Sequence, residues 1–86
     1  MSAERAIQKA IQDAQGGRIA EAIAGLRVML RLNPRSAEAM ATLGMLLAQD
    51  GQVEQAVQQL GRAVQLMPGS AGAHSNYANE IGRAHV

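Results

Sequence analysis

The sequence predicts an all-α fold, a solenoid of about two and a half helix–turn–helix units. Three observations carry this prediction. The only prolines, Pro34 and Pro68, lie 34 residues apart, and the stretches that each one closes resemble one another. Apolar residues recur every three or four positions, the spacing of one helix face. The composition is 48% hydrophobic but 1% aromatic, with Ala the commonest residue. Small aliphatic side chains suit close helix packing better than a sheet of β-branched and aromatic residues.

The repeat is tested by sliding residues 1–34 over 35–68. Ten positions are identical, from Ser2/Ser36, Ala3/Ala37 and Glu4/Glu38 through Gly17/Gly51 and Leu26/Leu60 to Pro34/Pro68. Composition alone would give roughly three identities, so the period is genuine. Residues 69–86 begin a third copy, in which Ser70-Ala71-Gly72-Ala73 echoes Ser36-Ala37-Glu38-Ala39. The chain is therefore expected to be one domain, 1–86, with units at 1–34 and 35–68 and a half unit at 69–86.

The elements follow in order. Ala3, Ile7, Ala10, Ile11 and Ala14 predict a helix over 3–15, which Gly16-Gly17 stops. Ile19, Ala22, Ile23, Leu26 and Leu30 predict a second over 19–32, ended by Pro34. Met40, Leu43, Gly44 and Leu47 place a third over 37–49, broken by Asp50-Gly51. Val53, Ala56, Val57, Leu60, Ala63 and Val64 extend a fourth over 53–66, ended by Pro68-Gly69. A fifth is predicted over 71–84, with Ser36 and Ser70 as N-caps of the third and fifth. Loops of about three residues make successive helices antiparallel. Gly44 is costly in mid-helix. Close approach of the next helix near Ala56 compensates for it, and Ala10 faces Ala22 in the same way. Ala78 holds the Gly44 place in the third copy.

These features look like the tetratricopeptide repeat family: the 34-residue period, the helix–turn–helix unit, small residues at its eighth and twentieth places, and Pro at its end. The second copy matches best, through Leu43-Gly44, Leu47, Gly51, Ala56, Leu60, Ala63 and Pro68. The first departs, with Ala6 at an aromatic place, Lys9 at an apolar one and Asp13 where Tyr is common, so its first helix is expected to be atypical. The resemblance implies a right-handed α-solenoid and a non-catalytic module that binds a protein or peptide segment in a concave groove. By the same resemblance the groove is lined by Ile7 and Ile11 from the first unit, by Glu38, Thr42, Met45 and Gln49 from the second, and by Asn76, Asn79 and Arg83 from the third. Met45 is adaptable, and the two Asn amides can meet a peptide backbone as donors and acceptors. Some family members clamp a C-terminal carboxylate with Lys, Asn and Arg. Those places carry Ile7, Ile11, Thr42, Gly72 and Asn76, so that clamp is absent.

Several chemistries are disfavoured. Eight basic and seven acidic residues leave a net charge of +1, which gives no electrostatic case for nucleic acid or an anionic membrane. No Cys is present, so thiolate catalysis and Cys-based metal sites are excluded. No apolar run approaches the ~18–20 residues of a membrane span, and a cytoplasmic chain is expected. His74 stands at a core place and is expected to pack inside; His85 is expected to be solvated. They do not share helical metal-ligand spacing, so neither metal nor cofactor is expected. Ser75 adjoins His74, but neighbours in sequence do not face each other on a helix. No catalytic set is suggested. Arg27 and Arg31 share a helix face, with Arg35 following, and read as a solvated basic stripe.

Two alternatives to the binding module belong to other classes. Ser75-Asn76-Tyr77-Ala78-Asn79 is similar to repeats preceding O-linked N-acetylglucosaminyltransferase catalytic domains, which would make the chain a substrate-recognition arm. A structural oligomerisation element would instead self-associate through open terminal helix faces. The ending at Arg83-Ala84-His85-Val86, with no polar tail, favours a piece of a longer protein over a capped complete one.

Overall fold

A computed structural model describes residues 3–84. Five helices succeed one another: α1 (Ala3–Gln15), α2 (Ile19–Leu32), α3 (Ala37–Gln49), α4 (Val53–Leu66) and α5 (Ala71–Ala84). All five spans agree with the sequence expectation. The periodicity is regular, and the breakers lie where the backbone needs them. Gly17 and Gly51 adopt φ of 87° and 84°, the left-handed region that favours glycine. The same bonds close both turns. Arg18 N–H donates to the Asp13 carbonyl and Gln52 N–H to the Leu47 carbonyl, both at 2.8 Å. The two glycine amides donate to Ala14 and Ala48. This is the Schellman arrangement, which satisfies the orphan carbonyls of α1 and α3. The Oγ of Ser36 accepts from Ala39 N–H and that of Ser70 from Ala73 N–H, so both serines are N-caps.

The helices form two layers. α1, α3 and α5 make one, and α2 and α4 the other. Each helix packs on its chain neighbours, α3 also packs on α1 and α5, and the backbones of α2 and α4 stay apart. Contacts thus run only between adjacent units, as in a solenoid. The thinnest dimension is 19 Å, the thickness of two helix layers.

The second unit forms the centre of the core. Leu43, Leu47, Ala56, Leu60 and Ala63 are all at most 1% exposed. A Cβ on Gly44 would lie 2.6 Å from Leu60 Cγ and 3.3 Å from the Ala56 carbonyl oxygen. The bare glycine is what lets α3 and α4 meet at this distance. α1 joins the core through Ile7 and Ala10. Its atypical Lys9 and Asp13 are accommodated by pairing: Lys9 Nζ and Arg18 Nη2 each lie 3.1 Å from one carboxylate oxygen of Asp13. The hydrogen bond from Lys9, then that from Arg18, holds the Asp13 carboxyl below the usual carboxylate range. Asp13 therefore fastens α1 to the turn leading into α2.

Two expectations change. His74 is exposed, not packed in the core, and its ring Nε2 donates to the Pro68 carbonyl at 2.7 Å. Met40, at the same place in the second unit, is enclosed because α3 has α2 on one side and α4 on the other, whereas α5 packs on α3 and α4 alone. An imidazole, unlike a thioether, also requires partners for its nitrogens. Ala78 is likewise exposed. Tyr77 and Ile81 of α5 are half-buried, with the Tyr77 ring lying over Gly61. His85 lies outside the described residues.

Two outcomes follow. Overpacking costs about 1–3 kcal/mol and helix propensity returns about 1 kcal/mol, so Gly44→Ala should lower the urea-unfolding free energy by up to about 2 kcal/mol. Combined with Leu60→Ala, it should cost less than the sum of the two single changes. For Asp13, the depressed pKa means a contribution present above the unfolded carboxylate pKa of about 3.9 and lost as pH falls through the lower folded value. Asp13→Asn should melt below the parent chain at pH 7, and the gap in Tm should close as the pH is taken well below 4.

Candidate partner-binding groove

The face made by α1, α3 and α5 carries two cavities. The first, of about 420 Å³, lies near the starts of these helices and includes Glu4, Ile7, Glu38, Thr42 and Ser70. The second, of about 190 Å³, lies near the ends of α3 and α5. It is lined by Met45, Gln49, Asn76, Asn79, Glu80 and Arg83, with Ala48 and Leu60 beneath. The parallel course of α1, α3 and α5, set by the short antiparallel turns, brings equivalent places of the three units together here.

The sequence-predicted residues divide between these cavities. Ile7, Glu38 and Thr42 meet in the first; Met45, Gln49, Asn76, Asn79 and Arg83 meet in the second. Ile11 lines neither cavity and stands 39% exposed on α1. It belongs instead to a row of exposed side chains at the ninth place of each unit, Ile11, Met45 and Asn79, with Met45 45% exposed. Ile7 is mostly core, at 8% exposure. Thr42 spends its hydroxyl proton on the Glu38 carbonyl at 2.9 Å, so it retains acceptor capacity only. The side-chain amides of Gln49, Asn76 and Asn79 have no hydrogen-bond partner among the described residues.

Sequence reasoning missed Glu80. It is the only buried charged residue described, at 9% exposure. One oxygen, Oε1, accepts from Arg83 Nη1 at 3.2 Å. The other, Oε2, is buried with no partner. The signal was its register: Glu80 is 34 residues after Leu46, which is 4% exposed. A carboxylate therefore occupies a place that the second unit fills with core leucine. A buried acceptor without a donor is costly, and such a cost marks a place where a donor from outside would be welcome.

The tetratricopeptide repeat family model matches residues 13–75. That is well over half of the chain. The chain belongs to the tetratricopeptide repeat family. The match begins at Asp13 and so leaves out most of α1, the helix whose Ala6 and Lys9 depart from the repeat pattern. A tetratricopeptide repeat is a protein-interaction element, and this chain is an interaction module in that general sense. Comparison with curated proteins gave no match. Among the described residues no helix is long and apolar enough to cross a membrane, and no group of three His, Cys, Asp or Glu side chains is placed to hold a metal ion.

A stability test isolates Glu80 from the rest of the repeat. Glu80→Leu restores the residue type of the second unit and removes an unsatisfied buried oxygen. Replacing a buried charge by a fitting apolar side chain is commonly neutral or stabilising, so thermal melting should show a Tm equal to or above that of the parent chain.

Proposed function

We propose that this tetratricopeptide repeat unit captures an extended or helical segment of a partner protein on its α1–α3–α5 face, and that the segment presents an N–H donor to Glu80. The observation that carries this reading is Glu80, whose Oε2 is buried and unpartnered, in the lining of a cavity that also holds Met45, Arg83 and the uncommitted amides of Gln49, Asn76 and Asn79. The charge of the face agrees with it. Glu4 and Glu38 line the first cavity and no basic side chain does, so a segment carrying Lys or Arg is favoured at that end. Exposed Ile11 and Met45 supply the apolar contact that a polar groove needs for affinity. Met45 can repack around different side chains.

The test is a random peptide library displayed on phage and panned against the intact chain. Enriched peptides should carry Lys or Arg together with an apolar residue. Measured by fluorescence anisotropy, they should bind Glu80→Leu and Met45→Glu at least roughly tenfold more weakly, the loss expected of one charge-assisted hydrogen bond or one buried contact. Asn79→Ala should show a smaller loss. Equal binding to the parent, Glu80→Leu and Met45→Glu would overturn the reading.

Self-association is a second reading, and its support lies on α2. Val28 and Leu32 stand one turn apart with 53% and 77% exposure, whereas α5 presents no comparable side chain. Light scattering that stays at monomer mass up to millimolar concentration would sink it.

A further inference from the structure

The opposite face of the molecule carries a second cavity of different character. Because the backbones of α2 and α4 stand apart, a cleft of about 260 Å³ opens between them, floored by α3 through Met40 and Leu43. Three guanidinium side chains line it, Arg27 and Arg31 from α2 and Arg62 from α4, and no carboxylate does. The sequence places Arg27 and Arg31 on one helix face, but Arg62 comes from the next unit and joins them only through the fold. Arg35, which follows them in sequence, lies in the turn and lines a different hollow.

These arginines are not consumed by the fold. Arg27 Nη2 donates to Gln55 Oε1 at 2.8 Å, a bond that bridges the two walls. Arg31 and Arg62 have neither hydrogen-bond nor ion-pair partners among the described residues. All three side chains are on exposed residues. Like charges one turn apart on a helix, as Arg27 and Arg31 are, repel and weaken it. Gln59 adds a second unresolved group, since its Oε1 is buried without a partner at this same cleft. The same amide also carries two N–H donors. Every polar group lining the cleft can then donate.

We propose that this α2–α4 cleft is a second docking site, which takes an extended acidic segment of a partner protein. Charge selects the occupant, because a guanidinium fork matches a carboxylate in two parallel hydrogen bonds. Spacing supports an extended segment. Residues four apart on a helix are separated by about 6 Å along its axis, and alternate residues of an extended strand by about 6.6 Å. Carboxylates at every second position would therefore meet Arg27 and Arg31 in turn, with Arg62 closing from the other wall. The apolar floor offers contact to the backbone between them. A nucleic acid is a poorer occupant, since the cleft lacks the aromatic platform on which successive bases stack.

The experiment uses the intact chain and a fluorescein-labelled peptide with Glu at alternate positions, read by fluorescence anisotropy. Binding should weaken as ionic strength is raised from about 0.05 to 0.15 M, where the screening length contracts. The same peptide with Gln for Glu should bind at least roughly tenfold more weakly, as should Arg31→Gln and Arg62→Gln chains toward the Glu peptide. Arg35→Gln should bind as the parent does. Circular dichroism should show unchanged helicity in every variant, as expected for exposed positions. Undiminished binding by Arg31→Gln and Arg62→Gln would overturn the proposal. Equal affinity for an oligothymidylate of the same charge would overturn it as well, by showing an unselective polyanion site. Because Glu80→Leu and Met45→Glu lie on the other face, they should leave this binding unchanged, so failure here and failure of the groove reading are distinguishable.

Discussion

The meeting of Gly44 with Leu60 is the constraint on which the remaining geometry depends. At this point α3 approaches α4 so closely that a methyl group would collide with a fully buried leucine and a backbone carbonyl. Such contact has no slack, because protein interiors are close-packed and tolerate little change in volume. It fixes how far α3 stands from α4, and α3 in turn supports both α1 and α5. The first unit meets the same requirement with Ala10 and Ala22, both buried. In a core with almost no aromatic side chains, stability comes from many short contacts between small residues, and these require the helices to be near one another.

Two helix layers create two different surfaces. The α1–α3–α5 layer brings together uncommitted amides and carboxylates, and one buried oxygen of Glu80 is an acceptor without a donor. The α2–α4 layer leaves a gap because consecutive second helices are held apart by the first helix between them, and that gap collects arginines. The near-zero net charge of the chain conceals this separation. Acidic and basic groups cancel in the sum but not in space, and recognition responds to the local field.

The architecture was almost wholly legible in the sequence. Helix spans, turn glycines and both serine caps follow from local physics: periodic apolar faces, left-handed backbone that only glycine adopts cheaply, and hydroxyls that satisfy free amides at a helix start. The candidate site was legible in part. The family resemblance assigned Met45, Gln49, Asn76, Asn79 and Arg83 to one face, and they share one cavity. It also assigned Ile11 to that lining, but Ile11 stands outside both cavities. His74 went astray because its place is interior only where helices flank it on both sides. Glu80 went unnoticed because a carboxylate on a helix is ordinarily a solvated one, and nothing local announces its burial.

The sequence by itself determined the repeat, its helices, its turns and the tight α3–α4 contact, because each rests on interactions within one unit or between neighbours in the chain. Only the tertiary structure decided that Glu80 is buried with one oxygen unpartnered, that His74 is outside, and that Arg62 joins Arg27 and Arg31. Those outcomes depend on which helices flank a position from a different unit. Burial and charge convergence are properties of the assembled layers, and no periodicity along a single helix encodes them.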